Sequence, residues 1–537
     1  MEKLLLSGNE AVARGAFEAG VRVGTGYPGT PSTEILENLT NYPGVYTEWS
    51  VNEKVALEVA IGSALSGLRS LVTMKHVGLN VAADPLFTAS YIGVKGGLVI
   101  VSADDPDMHS SQNEQDNRNY AASAKVPMLE PSDSQEVKDF TKRAFELSEE
   151  YDTPVILRTT TRISHSKSVV TPGVTDRRED LSPGFQRNIE KYVMIPSYAR
   201  LRHLAVESRM KRLVCDSDAL DINRTELRDT SRGFVTAGVC YTYVREAFPD
   251  ASVLKLGMVY PLPEKRLREF SQRVERLYVV EELDPFLELR MRAMGISVEG
   301  KRYFPITGEL NPDLLKKSLD DSGFEQKNRA SLKTDIHLPP RPPQLCPGCP
   351  HRSVFQTLSR MGLTVTGDIG CYTLGALPPF TSIDTCVDMG ASITIAQGIE
   401  IAGNPGKTVA VLGDSTFTHS GLPGLLNAAY NGRSSLIIVL DNGTTAMTGM
   451  QPNPLSGERI NGAPAVKLDY RKLGEAVGIA AERIRIVDAY KPADIEKEIS
   501  ELIGEKKLSL LVVQGLCIIL KRRRQRKEKV RGEKAGV

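Results

Sequence analysis

The sequence has no long hydrophobic run, few cysteines and no excess of charge of either sign. No run approaches the roughly 18 apolar residues that a membrane-spanning helix needs, and the chain start offers only Leu4-Leu5-Leu6 as the core of a signal peptide. The 67 Lys and Arg residues balance 66 Asp and Glu residues, so the overall charge gives no reason to expect nucleic acid or an anionic membrane as partner. We therefore expect a cytoplasmic protein that binds neither.

Cysteine is scarce and unevenly placed. Seven cysteines in 537 residues are too few for a disulfide scaffold, and the odd number favours a reducing compartment. Four of them fall close together, namely Cys346, Cys349, Cys371 and Cys386. This clustering favours a local chemical role over random use in a core.

The chain does contain a repeated alternation of short apolar runs with amphipathic stretches. With 41% hydrophobic and 25% charged residues, it is expected to form several packed domains, and the alternation predicts α/β domains with parallel sheets. The predicted organisation is, in chain order, a first α/β domain (1–165), a linker region (166–231), a middle α/β domain (232–306), a proline-rich linker (307–343), a third α/β domain (344–520) and a frayed basic tail (521–537).

Two polar residues follow two apolar runs of the third domain. Asp414 comes after the run 408–412, and Asn442 comes after the run 436–440. A right-handed βαβ unit would bring both to the carboxyl edge of one sheet, where a carboxylate and an amide oxygen can bind one hard cation. Gly413 would let the backbone approach a phosphate. A magnesium-phosphate site is one interpretation of this pattern, and plain turns after two strands are the other.

The segment Gly413-Asp414-Ser415, followed by Asp441-Asn442, resembles the thiamine diphosphate motif, which is usually Gly-Asp-Gly and later Asn-Asn. Ser415 and Asp441 depart from that motif, but neither stands at a metal-ligand position. The resemblance implies Mg²⁺ ligands at Asp414, Asn442 and the backbone carbonyl of Thr444. The cofactor-binding residues that it implies are Gly413, Asp414, Ser415, Asn442, Thr444, Thr448 and Gly449.

A carboxylate near the start of the chain fits the other half of such a site. Glu53 begins a predicted helix of small residues, where close packing can bury a carboxylate. Thiamine diphosphate is activated by a carboxylate hydrogen-bonded to N1′ of its aminopyrimidine, and this segment is similar to the glutamate helix of pyrimidine-binding domains. Glu53 is the candidate catalytic acid. Glu58 and Glu48 are weaker competitors, and a role in stabilising the helix dipole is the alternative.

Several further segments resemble the 2-oxoacid:ferredoxin oxidoreductases, and most of all the α subunits of the indolepyruvate branch. These segments are 27–32, 75–80, 110–118 and 448–454. The resemblance extends from about residue 6 to about residue 520 and keeps the family order of pyrimidine-binding, middle and diphosphate-binding domains. It implies three open α/β domains of the thiamine-enzyme type.

This resemblance implies a reaction as well as a fold. The expected reaction is oxidative decarboxylation of arylpyruvates to aryl-acetyl-CoA, through a carbanion and an enamine of thiamine diphosphate, with electrons passed to ferredoxin. Thr30 would face the substrate, while Lys75 and His76 would hold its carboxylate or move protons; a structural histidine is the alternative for His76. The implied assembly is a hetero-oligomer that contains a smaller oxidoreductase subunit and is built on a homodimer.

The role of the cysteines stays open at this point. Cys346, Cys349 and Cys371 suit a tetrahedral metal or one face of a [4Fe-4S] cluster, and the resemblance implies Cys517 as fourth ligand; a zinc knuckle and packed free thiols are the alternatives. Relatives usually continue into a ferredoxin-like module, whereas no cysteine follows Cys517 here. We expect either another subunit to provide the electron exit or the chain to be truncated. The alternative function is a thiamine diphosphate-binding subunit that is non-oxidative or a scaffold.

Overall fold

The computed structural model describes residues 3–176, 184–320, 343–403 and 408–535. Two compact units make up the chain, and we call Met1–Ser331 unit 1 and Leu332–Val537 unit 2. Most of the predicted linker 307–343 lies outside the described residues. No helix in the described ranges has the length and apolar character needed to cross a membrane.

Strands and helices alternate along unit 1. Its described strands are β1 (Leu4–Ser7), β2 (Val23–Gly26), β3 (Tyr46–Trp49), β4 (Ser70–Lys75), β5 (Leu98–Asp104), β6 (Met128–Leu129), β7 (Val155–Thr160), β8 (Lys167–Val170), β9 (Arg224–Glu226), β10 (Asp229–Ala237), β11 (Ala251–Leu256), β12 (Met258–Tyr260) and β13 (Arg276–Val280). Its described helices are α1 (Gly8–Glu18), α2 (Thr33–Leu39), α3 (Glu53–Leu65), α4 (His76–Val81), α5 (Ala83–Ile92), α6 (Arg118–Ala124), α7 (Ser134–Tyr151), α8 (Thr161–His165), α9 (Ile189–Tyr192), α10 (Pro196–Ser217), α11 (Gly238–Ala247), α12 (Glu264–Ser271), α13 (Phe286–Ala293) and α14 (Pro312–Asp320).

The larger sheet of unit 1 has the order β12-β6-β7-β5-β4-β2-β3 among the described strands. Its strands pair in parallel except at the edge, where β12 joins β6 antiparallel. The central strands β4, β5 and β7 are almost entirely buried, as expected of a parallel sheet covered on both faces. Because β2 and β4 are parallel neighbours, the loop after β2 and the residues that end β4 lie at the same sheet edge.

A second sheet of unit 1 has the order β13-β10-β11-β9. One buried apolar core contains side chains from both sheets, including Ile100 and Ile156 of the larger sheet and Val235 and Leu254 of the smaller one. The region 166–231, for which the sequence predicts a linker, contains the 22-residue helix α10. Arg209 of this helix donates to the carbonyl oxygen of Ser90 in α5 at 2.8 Å, so α10 contacts a helix of the first predicted domain.

Unit 2 is built around one parallel sheet. Its described strands are β14 (Thr364–Thr366), β15 (Thr408–Gly413), β16 (Leu436–Asp441), β17 (Ile484–Asp488) and β18 (Ser509–Gln514), in the spatial order β14-β15-β16-β18-β17. Its described helices are α15 (His351–Met361), α16 (Ala391–Ile401), α17 (Asp414–Thr416), α18 (Leu422–Tyr430), α19 (Tyr470–Ala476), α20 (Pro492–Gly504) and α21 (Ile518–Ala535). The described strand pairs are parallel, so the predicted α/β class with parallel sheets is confirmed.

The prediction of a frayed basic tail at 521–537 is wrong for its described part. Helix α21 continues to Ala535, and Arg523 donates a hydrogen bond to the carbonyl oxygen of Gly449 at 3.2 Å. Lys, Arg, Gln and Glu all have good helix propensity. The run of charged residues therefore indicates exposure to solvent and does not indicate a lack of helix.

Candidate functional site

The carboxyl ends of β15 and β16 lie side by side in unit 2. These strands pair in parallel, with Gly413 in register with Leu440, so Asp414 and Asn442 follow the two strand ends at one edge of the sheet. Both side chains are buried, and Asp414 is only 2% exposed. The structure thus brings together the two residues whose spacing suggests a cation site.

Asp414 is a buried acid surrounded by polar but uncharged donors. Its Oδ2 accepts a hydrogen bond from Nδ2 of Asn453 at 3.0 Å. Burial, together with the nearby carboxylate of Asp441, raises the pKa of Asp414 to about 7. A divalent cation beside Asp414 would offset both effects and keep the carboxylate ionised. The donor set therefore fits a hard cation such as Mg²⁺.

Two neighbours fix the amide of Asn442. Its Oδ1 accepts a hydrogen bond from the N–H of Thr444 at 3.1 Å, while its Nδ2 lies 3.2 Å from Nε2 of His351. An amide oxygen has two lone pairs, so Oδ1 keeps one for a cation. Burial lowers the pKa of His351 to about 4, which makes the ring a neutral hydrogen-bond acceptor at neutral pH.

The loop that follows Asn442 is held by its own side chains and by Ser415. The Oγ1 of Thr445 donates to Oγ of Ser415 at 2.8 Å, and Oγ1 of Thr448 donates to Oε1 of Gln451 at 2.6 Å. Gly449 has φ +127°, and a Cβ there would lie 2.8 Å from Nε2 of Gln451, so this turn favours glycine. Thr448 and Gly449 thus belong to one loop beside the two strand ends, and Ser415 of α17 contacts this loop.

A cavity of about 80 Å³ lies next to this loop. Its lining includes Asn442, His351 and the four cysteines that the resemblance implies as cluster ligands, namely Cys346, Cys349, Cys371 and Cys517. Burial, together with the neighbouring cysteines, raises the pKa of the Cys349 thiol to about 11 and that of Cys371 to about 12. No group of three or more His, Cys, Asp or Glu side chains in the described ranges is set to hold a metal ion. The four thiols therefore share a cavity without forming a closed ligand set.

Glu53 lies in unit 1 as the first residue of α3 and is 4% exposed. The helix begins there because Oδ1 of Asn52 accepts a hydrogen bond from the N–H of Val55 at 2.9 Å. A Cβ at residue 78 would lie 2.9 Å from Oε1 of Glu53, so glycine at this position leaves room for the carboxylate. Of its predicted competitors, Glu58 is exposed and pairs with Lys54.

Thr30 and Lys75 meet at the ends of β2 and β4. Both contact Ser110, whose Oγ donates to the carbonyl oxygen of Thr30 at 3.3 Å and whose carbonyl accepts from Nζ of Lys75 at 3.0 Å. Burial lowers the pKa of Lys75, although the charges of Asp105 and Glu53 act in the opposite direction. The structure thus groups Thr30, Lys75 and Glu53 at one edge of the larger sheet of unit 1.

His76 is fully buried beside this group. Its Nε2 donates to the carbonyl oxygen of Asn113 at 3.0 Å, and burial lowers its pKa to about 4. The ring is therefore neutral at neutral pH and fixes the segment around Asn113. Arg118, a polar residue of the same segment, is buried in ion pairs with Asp116 and Glu281 and contributes to the structure of unit 1.

Sequence reasoning missed three residues of the unit 2 site. Asn453 is the partner of Asp414, His351 is the partner of Asn442, and the ring of Tyr372 lies so close to Gly413 that a Cβ there would approach its Cε1 to 2.6 Å. Each had a weak signal, because Asn453 lies in the family-like segment 448–454 and the other two lie within two positions of a cysteine. Only the fold shows which partners they contact.

Two families match two separate parts of the chain. The family described as "Thiamine pyrophosphate enzyme, C-terminal TPP binding domain" matches residues 368–513, which include Asp414 and Asn442. The family described as "Pyruvate flavodoxin/ferredoxin oxidoreductase, thiamine diP-bdg" matches residues 14–207, which include Glu53. The fold, the buried acid at the strand ends and these two matches define the class: a thiamine diphosphate-dependent 2-oxoacid oxidoreductase.

Individual relatives narrow this class. "Indolepyruvate oxidoreductase subunit IorA" of Archaeoglobus fulgidus is 40% identical over 98% of this chain and 88% of that protein. The protein of the same name from Methanothermobacter thermautotrophicus is 41% identical over 96% of this chain and 87% of its own length. The chain belongs to the family of indolepyruvate oxidoreductase IorA subunits. A solved 2-oxoglutarate:ferredoxin oxidoreductase from Magnetococcus marinus shares the fold, with a TM-score of 0.51, 17% identity and coverage of 59% of this chain and 65% of that one.

Proposed function

We propose that this chain is the large subunit of an arylpyruvate:ferredoxin oxidoreductase. It would convert indolepyruvate-like 2-oxoacids and coenzyme A to aryl-acetyl-CoA and carbon dioxide, and pass two electrons, one at a time, to ferredoxin. The observation that carries the proposal is the buried Asp414–Asn442 pair, of which Asn442 lines a cavity that is also lined by four cysteines. The relatives' name supports the substrate class, and the word "subunit" in it supports a partner chain.

The diphosphate end of the cofactor is assigned to unit 2. Mg²⁺ would be held by the carboxylate of Asp414, Oδ1 of Asn442 and the carbonyl oxygen of Thr444. The cation would balance the negative charge of Asp414 and bind the diphosphate oxygens. Gly413, Ser415, Thr448 and Gly449 would border the diphosphate. When bound, thiamine diphosphate supplies the nucleophilic carbon that attacks the 2-oxo group and an electron sink for the loss of carbon dioxide.

Glu53 is assigned to the aminopyrimidine end. Its buried carboxylate would share a proton with N1′ of the ring, because a hydrogen bond from an acid at that nitrogen favours the imino tautomer, whose imino nitrogen can accept a proton. Gly78 supports this role, since any larger residue would displace the carboxylate. Lys75 and Thr30 would bind the substrate carboxylate and carbonyl. For His76 we retain proton transfer as the proposed catalytic role, although its Nε2–H is engaged by a backbone carbonyl.

The four cavity cysteines are assigned to one [4Fe-4S] cluster. Thiolates bind iron, so cluster assembly would release the protons that burial holds on Cys349 and Cys371. Anaerobically purified protein is expected to contain about four iron and four sulfide per chain and to show an EPR signal on reduction. Zinc, or a colourless protein without iron, would overturn this assignment.

A turnover panel tests the whole proposal. Indolepyruvate, phenylpyruvate, 4-hydroxyphenylpyruvate and pyruvate would be offered to the subunit complex with coenzyme A, with either ferredoxin or a viologen as acceptor. We expect the aryl substrates to give the higher kcat/KM, and we expect product formation to require both coenzyme A and an acceptor. Aldehyde formation without acceptor reduction would establish the non-oxidative alternative, and the absence of decarboxylation would establish the scaffold.

A further inference from the structure

His351 contacts both features of unit 2 that the proposed function requires. It is the first residue of α15 and lies two positions after Cys349, the last residue of the Cys346-Pro-Gly-Cys349 segment. Its backbone N–H donates to the thiol of Cys349, and its Nε2 lies 3.2 Å from Nδ2 of Asn442. One buried residue therefore connects the cysteine group with a candidate Mg²⁺ ligand that is 91 positions away in the sequence.

The contacts of Asn442 with Thr444 and with His351 together decide which way the amide points. The N–H of Thr444 needs an oxygen acceptor and faces Oδ1 of Asn442 at 3.1 Å, which leaves Nδ2 facing the imidazole. Two nitrogen atoms form a hydrogen bond only when one of them accepts, so the amide N–H donates and Nε2 accepts. The reversed amide would place Nδ2 against the N–H of Thr444 and would lose that hydrogen bond, and it would keep the contact with His351 only if Nε2 carried the ring proton.

We propose that His351 is a positioning residue that keeps the amide oxygen of Asn442 available for Mg²⁺. The inference rests on the proposed role of Asn442 as a ligand. A metal needs the oxygen of the amide and is repelled by its nitrogen, so a freely turning amide binds less well than one held in place. Partners that orient metal ligands in this way change metal affinity by about ten- to a hundredfold in other proteins.

A purely structural role is the competing explanation. The imidazole also makes an edge-to-face contact with the ring of Tyr372, with 6.2 Å between the ring centroids. Loss of that packing would destabilise unit 2 without any link to Asn442. The test must therefore separate an effect that passes through Asn442 from a general loss of stability.

The experiment compares three substitutions at this position in the full chain with its partner subunit. His351→Gln keeps an acceptor oxygen near the place of Nε2, whereas His351→Leu removes it and His351→Asn is too short to reach Asn442. Thiamine diphosphate binding is measured by calorimetry across a series of Mg²⁺ concentrations. We expect His351→Leu and His351→Asn to weaken Mg²⁺-dependent binding about tenfold and His351→Gln to stay within about twofold of the wild type.

A double-mutant cycle with Asn442→Ala completes the test. If His351 acts through Asn442, then His351→Leu causes no further loss of affinity in the Asn442→Ala background. Equal, additive losses in both backgrounds would overturn the inference. Should His351→Leu fail to fold, the comparison of His351→Gln with His351→Asn decides in the same way.

Leu358→Ala serves as the matched control, because Leu358 lies on the same helix in the apolar core. It is expected to lower the melting temperature and to leave the Mg²⁺ dependence of binding unchanged. If Asn442→Ala weakens binding but His351→Leu does not, only the inference about His351 fails. If Asn442→Ala itself leaves binding unchanged, the proposed Mg²⁺ site fails, and the role of His351 fails with it.

Discussion

Asp116 in unit 1 and Asp414 in unit 2 are both buried aspartates, but their surroundings shift their pKa values in opposite directions. Burial acts to raise the pKa of Asp116, yet the adjacent guanidinium of Arg118, 2.5 Å away, brings it below its ordinary value. Burial and the charge of the Asp441 carboxylate together raise the pKa of Asp414 to about 7. The chain thus provides the counterion for Asp116, whereas we expect Mg²⁺ to provide it for Asp414.

The largest expected effect comes from breaking the compensated pair of unit 1. Arg118→Met would leave Asp116 and Glu281 buried without their cation, which should lower the free energy of unfolding by about 3–5 kcal/mol. Chemical denaturation of the variant measures this. The control is Arg143→Met, since Arg143 and Glu146 form a partly exposed pair for which a loss of no more than about 1 kcal/mol is expected. Equal losses in the two variants would show that the Arg118 network is no more important than a surface pair.

A second prediction concerns Glu53, a buried acid of unit 1 for which we propose a catalytic role. Glu53→Gln keeps the size of the side chain but removes the proton that the carboxylate would share with the cofactor. We expect kcat to fall at least about a hundredfold, while the calorimetric affinity for thiamine diphosphate stays within about threefold of the wild type. Glu58→Gln is the control, because Glu58 is on the same helix but exposed. Full activity of Glu53→Gln would remove Glu53 from the mechanism.

Two parts of the candidate site could be located from the sequence. Asp414 and Asn442 could be placed from the sequence because a βαβ unit has a nearly fixed geometry, so two strand-end residues one helix apart must meet. Glu53 could be placed because a small-residue helix follows it. These signals are local, and each depends only on the order of neighbouring elements.

Contacts between distant segments could not be predicted in this way. Nothing near His351 indicates that it meets Asn442, and nothing near Asn453 indicates that it donates to Asp414, because these pairs form only when loops from different strands converge. The basic helix α21 differs from the predicted frayed tail for another reason. A run of charged residues indicates exposure to solvent, but Lys, Arg, Gln and Glu also have good helix propensity. Patterning therefore identified the strand-end residues of the site, and the partners that orient them came from the tertiary structure.

A third prediction separates the two aspartates directly. Asp414→Asn should weaken Mg²⁺-dependent binding of thiamine diphosphate by about tenfold or more, since one ligand loses its charge. The same change should leave the stability of the cofactor-free protein unchanged or higher, because it removes a buried acid that no cation neutralises. Asp116→Asn should instead lower stability, because it leaves Arg118 with less compensation. Loss of stability in both variants would show that Asp414 is compensated by the chain itself.

The smallest expected effect concerns Glu282, a buried acid of unit 1 that resembles Asp414 more than Asp116. Burial raises the pKa of Glu282 to about 7, against the opposing effects of the Leu310 N–H and of Arg158. Because the folded state holds this proton more tightly than the unfolded state, Glu282 should make stability fall as pH rises from about 4.5 to about 7 and contribute no slope above that range. The change should be about 1–3 kcal/mol, and denaturation at several pH values measures it. Glu282→Gln should remove this part of the dependence of stability on pH. If the variant keeps the wild-type dependence, the chain itself compensates the charge of Glu282, as it does that of Asp116. The contrast between the two units would then hold for Glu282 as well.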